Sequence, residues 1–269
     1  MFRQRNNLTD GKRFTLESIH LNRSVVVDVY GLSFLTKSEK LSLLCINDGQ
    51  DLEKIPFASL LEKELQAGKI HSVLCVGIHA GTDRKMEYGV AGVPDYLQRG
   101  AKAEAYGRFI TMELMPWIQQ LSNDYPFHET AFAGFSLGGL MALDLVWKQP
   151  HLFSCAGVFS GALWWRSKAL DDGYEESRDR IMHAEIRKRA YREGQRFFFQ
   201  AGALDETSDR NGNGIIDSID DTLDILRELE NIGYCKGAEL QYLELPNGRH
   251  DVATWGRAFP EFLRFAFPL

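Results

Sequence analysis

Gly134-Phe135-Ser136-Leu137-Gly138 sets one serine between two glycines in a G-x-S-x-G pattern, with Gly139 adjoining. A serine hydroxyl is a weak nucleophile until a base takes its proton. The pattern therefore asks for a histidine, and for a carboxylate to fix that histidine's tautomer. Residues 130–133 ahead of it read as a buried strand, and 140–147 behind it as a helix with apolar positions at helical spacing. Strand, tight turn and helix are the context the motif needs. The glycines let strand and helix approach closely while the serine takes a strained backbone conformation.

Where strands alternate with helices, ligands bind beyond the carboxyl ends of the strands, so chemistry is sought just after each strand. Ser136, Asp205 and His250 stand out there, in that chain order. Among seven histidines, His20 and His71 precede or begin strands, His128 and His151 lie before them, and His183 sits in a charged stretch. His79 ends a strand but precedes the serine, and it reads as a structural or substrate contact. His250 follows the last strand in a glycine-containing turn before a helix and reads as the base. Asp205 directly follows a strand and is preferred as the acid, with neighbouring Glu206 and Asp209 as alternatives. The expected oxyanion donors are the backbone N–H of Leu137 and one from the loop at 49–51, with Gln50 favoured.

A second constellation follows the acid. Asp209, Asn211, Asn213 and Asp217 place oxygen side chains at positions one, three, five and nine of a calcium-loop pattern, with Gly214 at six and the Ile215 carbonyl at seven. Position twelve is Asp220 rather than glutamate, and a strand rather than a helix precedes the loop. The competing reading is a metal-free Asx/Gly turn. The expectation is a structural calcium that holds the loop, and Asp205 with it, and no organic cofactor.

The elements that must position these residues are legible as a series. Residues 14–30 read as a hairpin or a pair of edge strands, 41–46 and 71–78 as strands buried on both faces, and 56–66 as a helix. Residues 86–100 are loop-like. A long helix covers 101–121, where Pro116 should kink or restart it. Strands follow at 153–160, 196–201 and 239–245, with helices at 219–232 and from about 252 to 267. The charged run 171–194 reads as a solvated surface excursion. The whole, 1–269, reads as one α/β domain with a mostly parallel, doubly wound sheet and helices on both faces.

Composition excludes little and agrees with this. The chain has 269 residues, 44% hydrophobic and 25% charged, with net charge −6, which disfavours a nucleic-acid partner. No apolar run approaches transmembrane length, and Met-Phe-Arg-Gln-Arg-Asn-Asn at the start lacks the apolar core of a signal peptide. Three of Cys45, Cys75, Cys155 and Cys235 lie in apolar strand-like runs and none forms a C-x-x-C pair. Buried free thiols and a cytoplasmic location are expected.

These residues resemble the esterase D / enterochelin-esterase-like family of α/β-hydrolases from about Val25 onward. The matching pieces are Ile46-Asn47-Asp48-Gly49-Gln50, Asp83-Arg84 with Glu87-Tyr88, Ala133-Gly134-Phe135-Ser136-Leu137-Gly138-Gly139, Ser160-Gly161-Ala162-Leu163-Trp164-Trp165, and His250-Asp251 with Trp255. Asn47 departs from the hydrophobic residue or histidine of many relatives. The resemblance implies an α/β-hydrolase fold, the triad Ser136–Asp205–His250, and hydrolysis of a small-molecule carboxylic ester or thioester. An acyltransferase with a sugar or other alcohol acceptor shares every catalytic part. A non-catalytic binding protein on the same fold is the alternative of another class. Trp164 and Trp165 are expected to line the substrate pocket, against the alternative of core packing. Arg84 is expected to meet an anionic substrate group, against a surface ion pair. Oligomeric state is not legible.

Overall fold

The structure is a computed structural model and describes residues 11–36 and 40–269. The first ten residues, including the stretch read above as lacking a signal-peptide core, lie outside it.

The strands are β1 (Lys12–Ser18), β2 (Arg23–Tyr30), β3 (Leu41–Asn47), β4 (Ser72–Ile78), β5 (Thr130–Phe135), β6 (Cys155–Phe159), β7 (Arg196–Leu204) and β8 (Leu240–Arg249). The helices are α1 (Phe57–Gln66), α2 (Arg84–Glu87), α3 (Ala103–Arg108), α4 (Met115–Leu121), α5 (Leu137–Lys148), α6 (Glu176–Asp179), α7 (Ile181–Arg187), α8 (Asp217–Asn231) and α9 (Val252–Ala266). One sheet runs in the order β1-β2-β4-β3-β5-β6-β7-β8. β1 with β2 and β2 with β4 pair antiparallel, and every other pair is parallel. The expected hairpin is present, and β1 alone of its two strands is an edge.

Successive strand side chains point to opposite faces, and a strand buried on both faces must be apolar throughout. β3 shows this division. Leu43 and Cys45 join the core under α3, α4, α5, α7 and α8, whereas Leu44 and Ile46 join the core under α1 and α9. In β7, Phe197 and Phe199 divide from Phe198 in the same way.

The stretch 101–121 is broken, as Pro116 required. α3 passes into a π-helical turn, Phe109–Leu114, and α4 then starts with Pro116 in its first turn, where a missing N–H costs no hydrogen bond. The charged stretch 171–194 corrects the expectation of a solvated excursion. Ile181, Met182, His183 and Ile186 are buried. Arg180 pairs with Asp221 at 2.9 Å and Asp224 at 2.6 Å, and Arg187 pairs with Glu228, so α7 docks on α8. Its charges are spent on a neighbouring helix, and an apolar stripe lies beneath them.

The closest approach in the fold is between β5 and α5. A Cβ on Gly134 would stand 2.2 Å from the Gly138 carbonyl oxygen, and one on Gly138 would stand 2.6 Å from Asp48 Oδ2. Backbone cannot yield as a flexible side chain does. Gly134→Ala is therefore expected to destabilise the chain by about 3 kcal/mol or more, read as a lower urea midpoint, and a change below about 1 kcal/mol would contradict this packing.

Candidate active site

Ser136 sits between the last residue of β5 and the first of α5 with φ 54° and ψ −120°, a strained conformation for a residue with a Cβ. The surroundings hold it there. Its N–H donates to the Phe159 carbonyl at 2.9 Å, and its own carbonyl accepts from Gly139 and Ala162, each at 3.0 Å. Leu137 opens α5, so its N–H is among the first-turn donors that no helical carbonyl can reach. The positive end of the helix lies beside the serine.

The loop after β3 is bolted to this turn. Asn47 Nδ2 donates to the Gly138 carbonyl at 2.8 Å, and Asn47 Oδ1 accepts from Tyr106 Oη at 2.6 Å. Asp48 is buried and left-handed, with φ 59°. Its carboxylate takes Arg84 Nε and Nη2, both at 2.7 Å, and Nη2 also donates to the Phe135 carbonyl at 3.3 Å. Arg84 is thus paired with Asp48, the ion-pair alternative of its two readings, with a side chain still 30% exposed. Gln50 lies in the 3₁₀ turn Gly49–Lys54, and its side-chain Oε1 accepts the Ala80 N–H at 3.0 Å. The segment around Arg84 is explained as a unit. Glu87 grips Arg23 of β2 at 2.8 and 2.6 Å, and Tyr88 packs edge-on against Tyr106.

His250 follows β8 and keeps an exposed edge. Trp255 of α9 stands edge-to-face against it with centroids 5.4 Å apart. The same indole stacks on Phe135 at 4.8 Å and donates Nε1–H to Ser160 Oγ at 3.0 Å. Trp255 therefore joins the histidine to the residue before the serine, a role its place in the sequence motif did not disclose. Asp251 is the N-cap of α9, accepting the Thr254 N–H at 2.8 Å. Burial of the ring holds the His250 pKa below the usual histidine value, and Arg84 adds to this. Asp205 and Asp251 oppose it.

Asp205 follows β7. One of its oxygens, Oδ2, accepts the Gly202 N–H at 3.1 Å, while Oδ1 is buried without a protein partner among the described residues. Glu206 is half-buried, and burial raises its proton affinity, with Asp217, Asp221 and Asp205 adding to the effect. Asp205, Glu206, His250, Trp164, Ser160 and Ser218 line a cavity of about 220 Å³. The structure brings Asp205 and His250 to one cavity, and Ser160, at its wall, belongs to the turn whose Ala162 holds the Ser136 carbonyl.

The two tryptophans part company. Trp164 lines the cavity. Trp165 is fully buried, with Nε1 donating to the Val93 carbonyl at 3.3 Å and its ring against Gly89 and Gly100. The two rings pack against each other with centroids 5.9 Å apart, Trp165 on the inner side. Trp165 is core, a correction to its expected pocket role. His79 is tied to Asp28 at 2.6 Å, in keeping with a structural contact.

In the loop after the acid, Asp209 accepts from the Asn213 and Gly214 N–H groups at 3.1 and 2.9 Å, and Gly214 has φ 83°. Asn211 and Asn213 both reach Asp220, at 2.8 and 3.2 Å. The Ile215 N–H donates to Asn213 Oδ1 at 2.8 Å. Asp217 is taken by the Arg210 N–H at 2.9 Å. The loop is curled by side-chain-to-backbone bonds of the Asx type, and Asp217 is turned to the Arg210 backbone.

With this geometry in view, comparison with known proteins is informative. The fold matches an IroE-like serine hydrolase from Shewanella oneidensis at TM-score 0.73, with 21% identity over 96% of this chain and 80% of that one. It matches the enterobactin esterase FES from Shigella flexneri at TM-score 0.69, with 18% identity over 94% of this chain and 58% of that one. The siderophore hydrolase EstB from Aspergillus nidulans gives TM-score 0.68, with 17% identity over 94% and 95%. This is the α/β-hydrolase fold. The uncharacterised protein YbbA of Bacillus subtilis (strain 168) is 26% identical over 141 residues, 51% of this chain and 56% of that protein. The chain thus spans little more than half the length of YbbA and of FES. The model of the family described as Putative esterase matches residues 18–266, and the chain belongs to that family. Among the described residues no helix is long and apolar enough to cross a membrane.

Removing Arg84 would strand the buried Asp48 carboxylate. Arg84→Met is expected to cost roughly 3 kcal/mol, the low end for a broken buried pair because the arginine side chain is 30% exposed. Urea denaturation measures it, and a cost below about 1 kcal/mol would mean that the pair holds nothing in place.

Proposed function

We propose that this chain is a serine carboxylic ester hydrolase in which Ser136 is the nucleophile, His250 the base and Asp205 the acid. The observation that carries the reading is the strained Ser136 turn at the start of α5, at the strand ends where Asp205 and His250 share a cavity. Ser136 Oγ attacks the ester carbonyl while the imidazole takes its proton. The Leu137 N–H and an N–H of the 49–51 loop hold the oxyanion. The imidazolium then gives the proton to the leaving alcohol. Water repeats the sequence on the acyl-enzyme, releasing the acid and regenerating the serine. Asp205 is prepared for its part by the backbone bond that fixes one oxygen and leaves the other for the imidazole N–H. A histidine of lowered pKa is neutral at pH 7, the state a base needs. Neighbours named for enterobactin, ferulic acid and siderophores suit an ester with a large group against Trp164.

A short-chain 4-nitrophenyl ester panel tests this. Ser136→Ala is expected to abolish turnover, and activity surviving in it would overturn the assignment. The wild-type kcat/KM should fall as pH drops through a midpoint below 6.5. Asp205→Asn should cut kcat about 10³–10⁴-fold. It should also move that midpoint lower, because Asp205 is the larger of the two charges that raise the His250 pKa. A midpoint moving upward would mean that another carboxylate faces the ring.

The reading extends to a structural calcium in the loop after Asp205. Asp209, Asn211, Asn213, Asp220 and the Ile215 carbonyl would hold it. These are hard oxygen donors of the kind calcium takes; the side chains of Asn211, Asn213 and Asp220 already meet, and Asp209 accepts from the Asn213 backbone beside them. Calcium would supply no chemistry to the ester and would fix the loop behind the acid. Calorimetry on chelator-treated protein should show one site, and calcium at 100 times its Kd should add about 2.7 kcal/mol of stability. No heat and no gain in Tm would remove the metal from the picture.

A further inference from the structure

The cavity beside His250 is lined by two carboxyl groups, two serine hydroxyls, the imidazole and one indole. Ser218 Oγ is buried without a protein partner among the described residues, and Asp205 Oδ1 is the oxygen left for the imidazole. Glu206 adds a half-buried carboxyl, and Trp164 supplies an apolar wall. No lysine or arginine lines the space. The two cations nearby are already committed. Arg84 is bound to Asp48, and Arg99, whose guanidinium lies 4.9 Å from the Trp164 ring centroid, is held by buried Asp95 through Nε at 2.6 Å. A buried hydroxyl without a partner is costly unless a ligand completes its bonding.

We propose that this cavity is a specificity pocket for a hydrogen-bond-donating, non-anionic group of the ester substrate, a hydroxyl or an ammonium, and that Glu206 and Ser218 select it. The proposal rests on the Ser136 esterase reading and adds a substrate class to it. A donor entering the pocket meets the Ser218 hydroxyl and the Glu206 carboxyl and satisfies both. A carboxylate or phosphate entering it meets two acidic side chains and no counter-charge, in a space partly closed to water where repulsion is poorly screened. Sites that bond a donor reject analogues lacking it far more strongly than apolar pockets reject a missing methylene.

The test is a matched set of 4-nitrophenyl benzoates with aminomethyl, hydroxymethyl, ethyl or carboxyl at the para position. Aryl acetates with the same four groups on the leaving phenol cover the other side of the ester. Each kcat/KM is divided by the ester's hydroxide-catalysed rate constant to remove intrinsic reactivity. In one of the two series, the aminomethyl and hydroxymethyl substrates should exceed the carboxyl substrate by about 100-fold or more. Glu206→Gln, which keeps the shape of the side chain, should reduce the aminomethyl-to-carboxyl ratio at least about tenfold. Ser218→Ala should reduce the hydroxymethyl-to-ethyl ratio, and it serves as the second probe if Glu206→Gln does not fold. A wild type indifferent to the para charge in both series would overturn the pocket and leave the esterase reading standing. Ratios unmoved in both variants would do the same. Turnover that survives Ser136→Ala, or its absence with every ester, would instead overturn the esterase reading, and the pocket with it.

Discussion

One guanidinium spans two strained turns. Asp48 after β3 and Ser136 after β5 both carry side chains at positive φ, on neighbouring strands, and Arg84 bonds the carboxylate of the first and the carbonyl that precedes the second. Neither conformation is favourable by itself, and each costs about 1–3 kcal/mol. They persist because the charge pair, the Asn47 amide and the glycine contact between β5 and α5 determine the same geometry three times over. The serine and the loop expected to hold the oxyanion are thereby fixed relative to one another before any substrate arrives, which is the condition for electrostatic preorganisation.

On the other side of the serine, the same economy is achieved with aromatic surface. Trp255 touches His250, Phe135 and Ser160 at once, so α9 positions the histidine by packing rather than by charge. Asp251, next to the histidine, caps that helix and so fixes the direction in which Trp255 is presented. In a motif that reads as chemistry, Asp251 and Trp255 thus serve to place His250.

Much of this was legible in the sequence, for physical reasons. Continuous apolar runs such as 71–78 can only be strands covered on both faces, and a serine between glycines at a strand-to-helix junction has few other uses. The order of Ser136, Asp205 and His250 followed from asking what lies just after each strand. What escaped depended on distant partners. Nothing local says that Arg84 meets Asp48 rather than solvent, or that Arg180 is paired with α8. The tryptophan doublet was ambiguous for a similar reason, because its rings pack on each other and the sequence does not tell which of the two is the buried one. The apolar stripe of α7 was hidden by the charges around it. Asn47 looked like a departure from a pattern until its amide was seen to reach both Tyr106 and Gly138.

The sheet order has a consequence for how the molecule comes into being. β5, which carries the serine, pairs on one side with β3, so that Leu43 meets Thr130 across a long stretch of intervening chain. Asp205 and His250 follow β7 and β8, which continue the sheet from β5 through β6. Pairings between such distant segments form slowly, because loop closure must precede the contacts that reward it. The ends of the contiguous strands β5 to β8 carry Ser136, Asp205 and His250, whereas Asn47, which bolts the turn after Ser136, comes from β3. The serine turn is therefore held in its strained shape only after that distant pairing has closed.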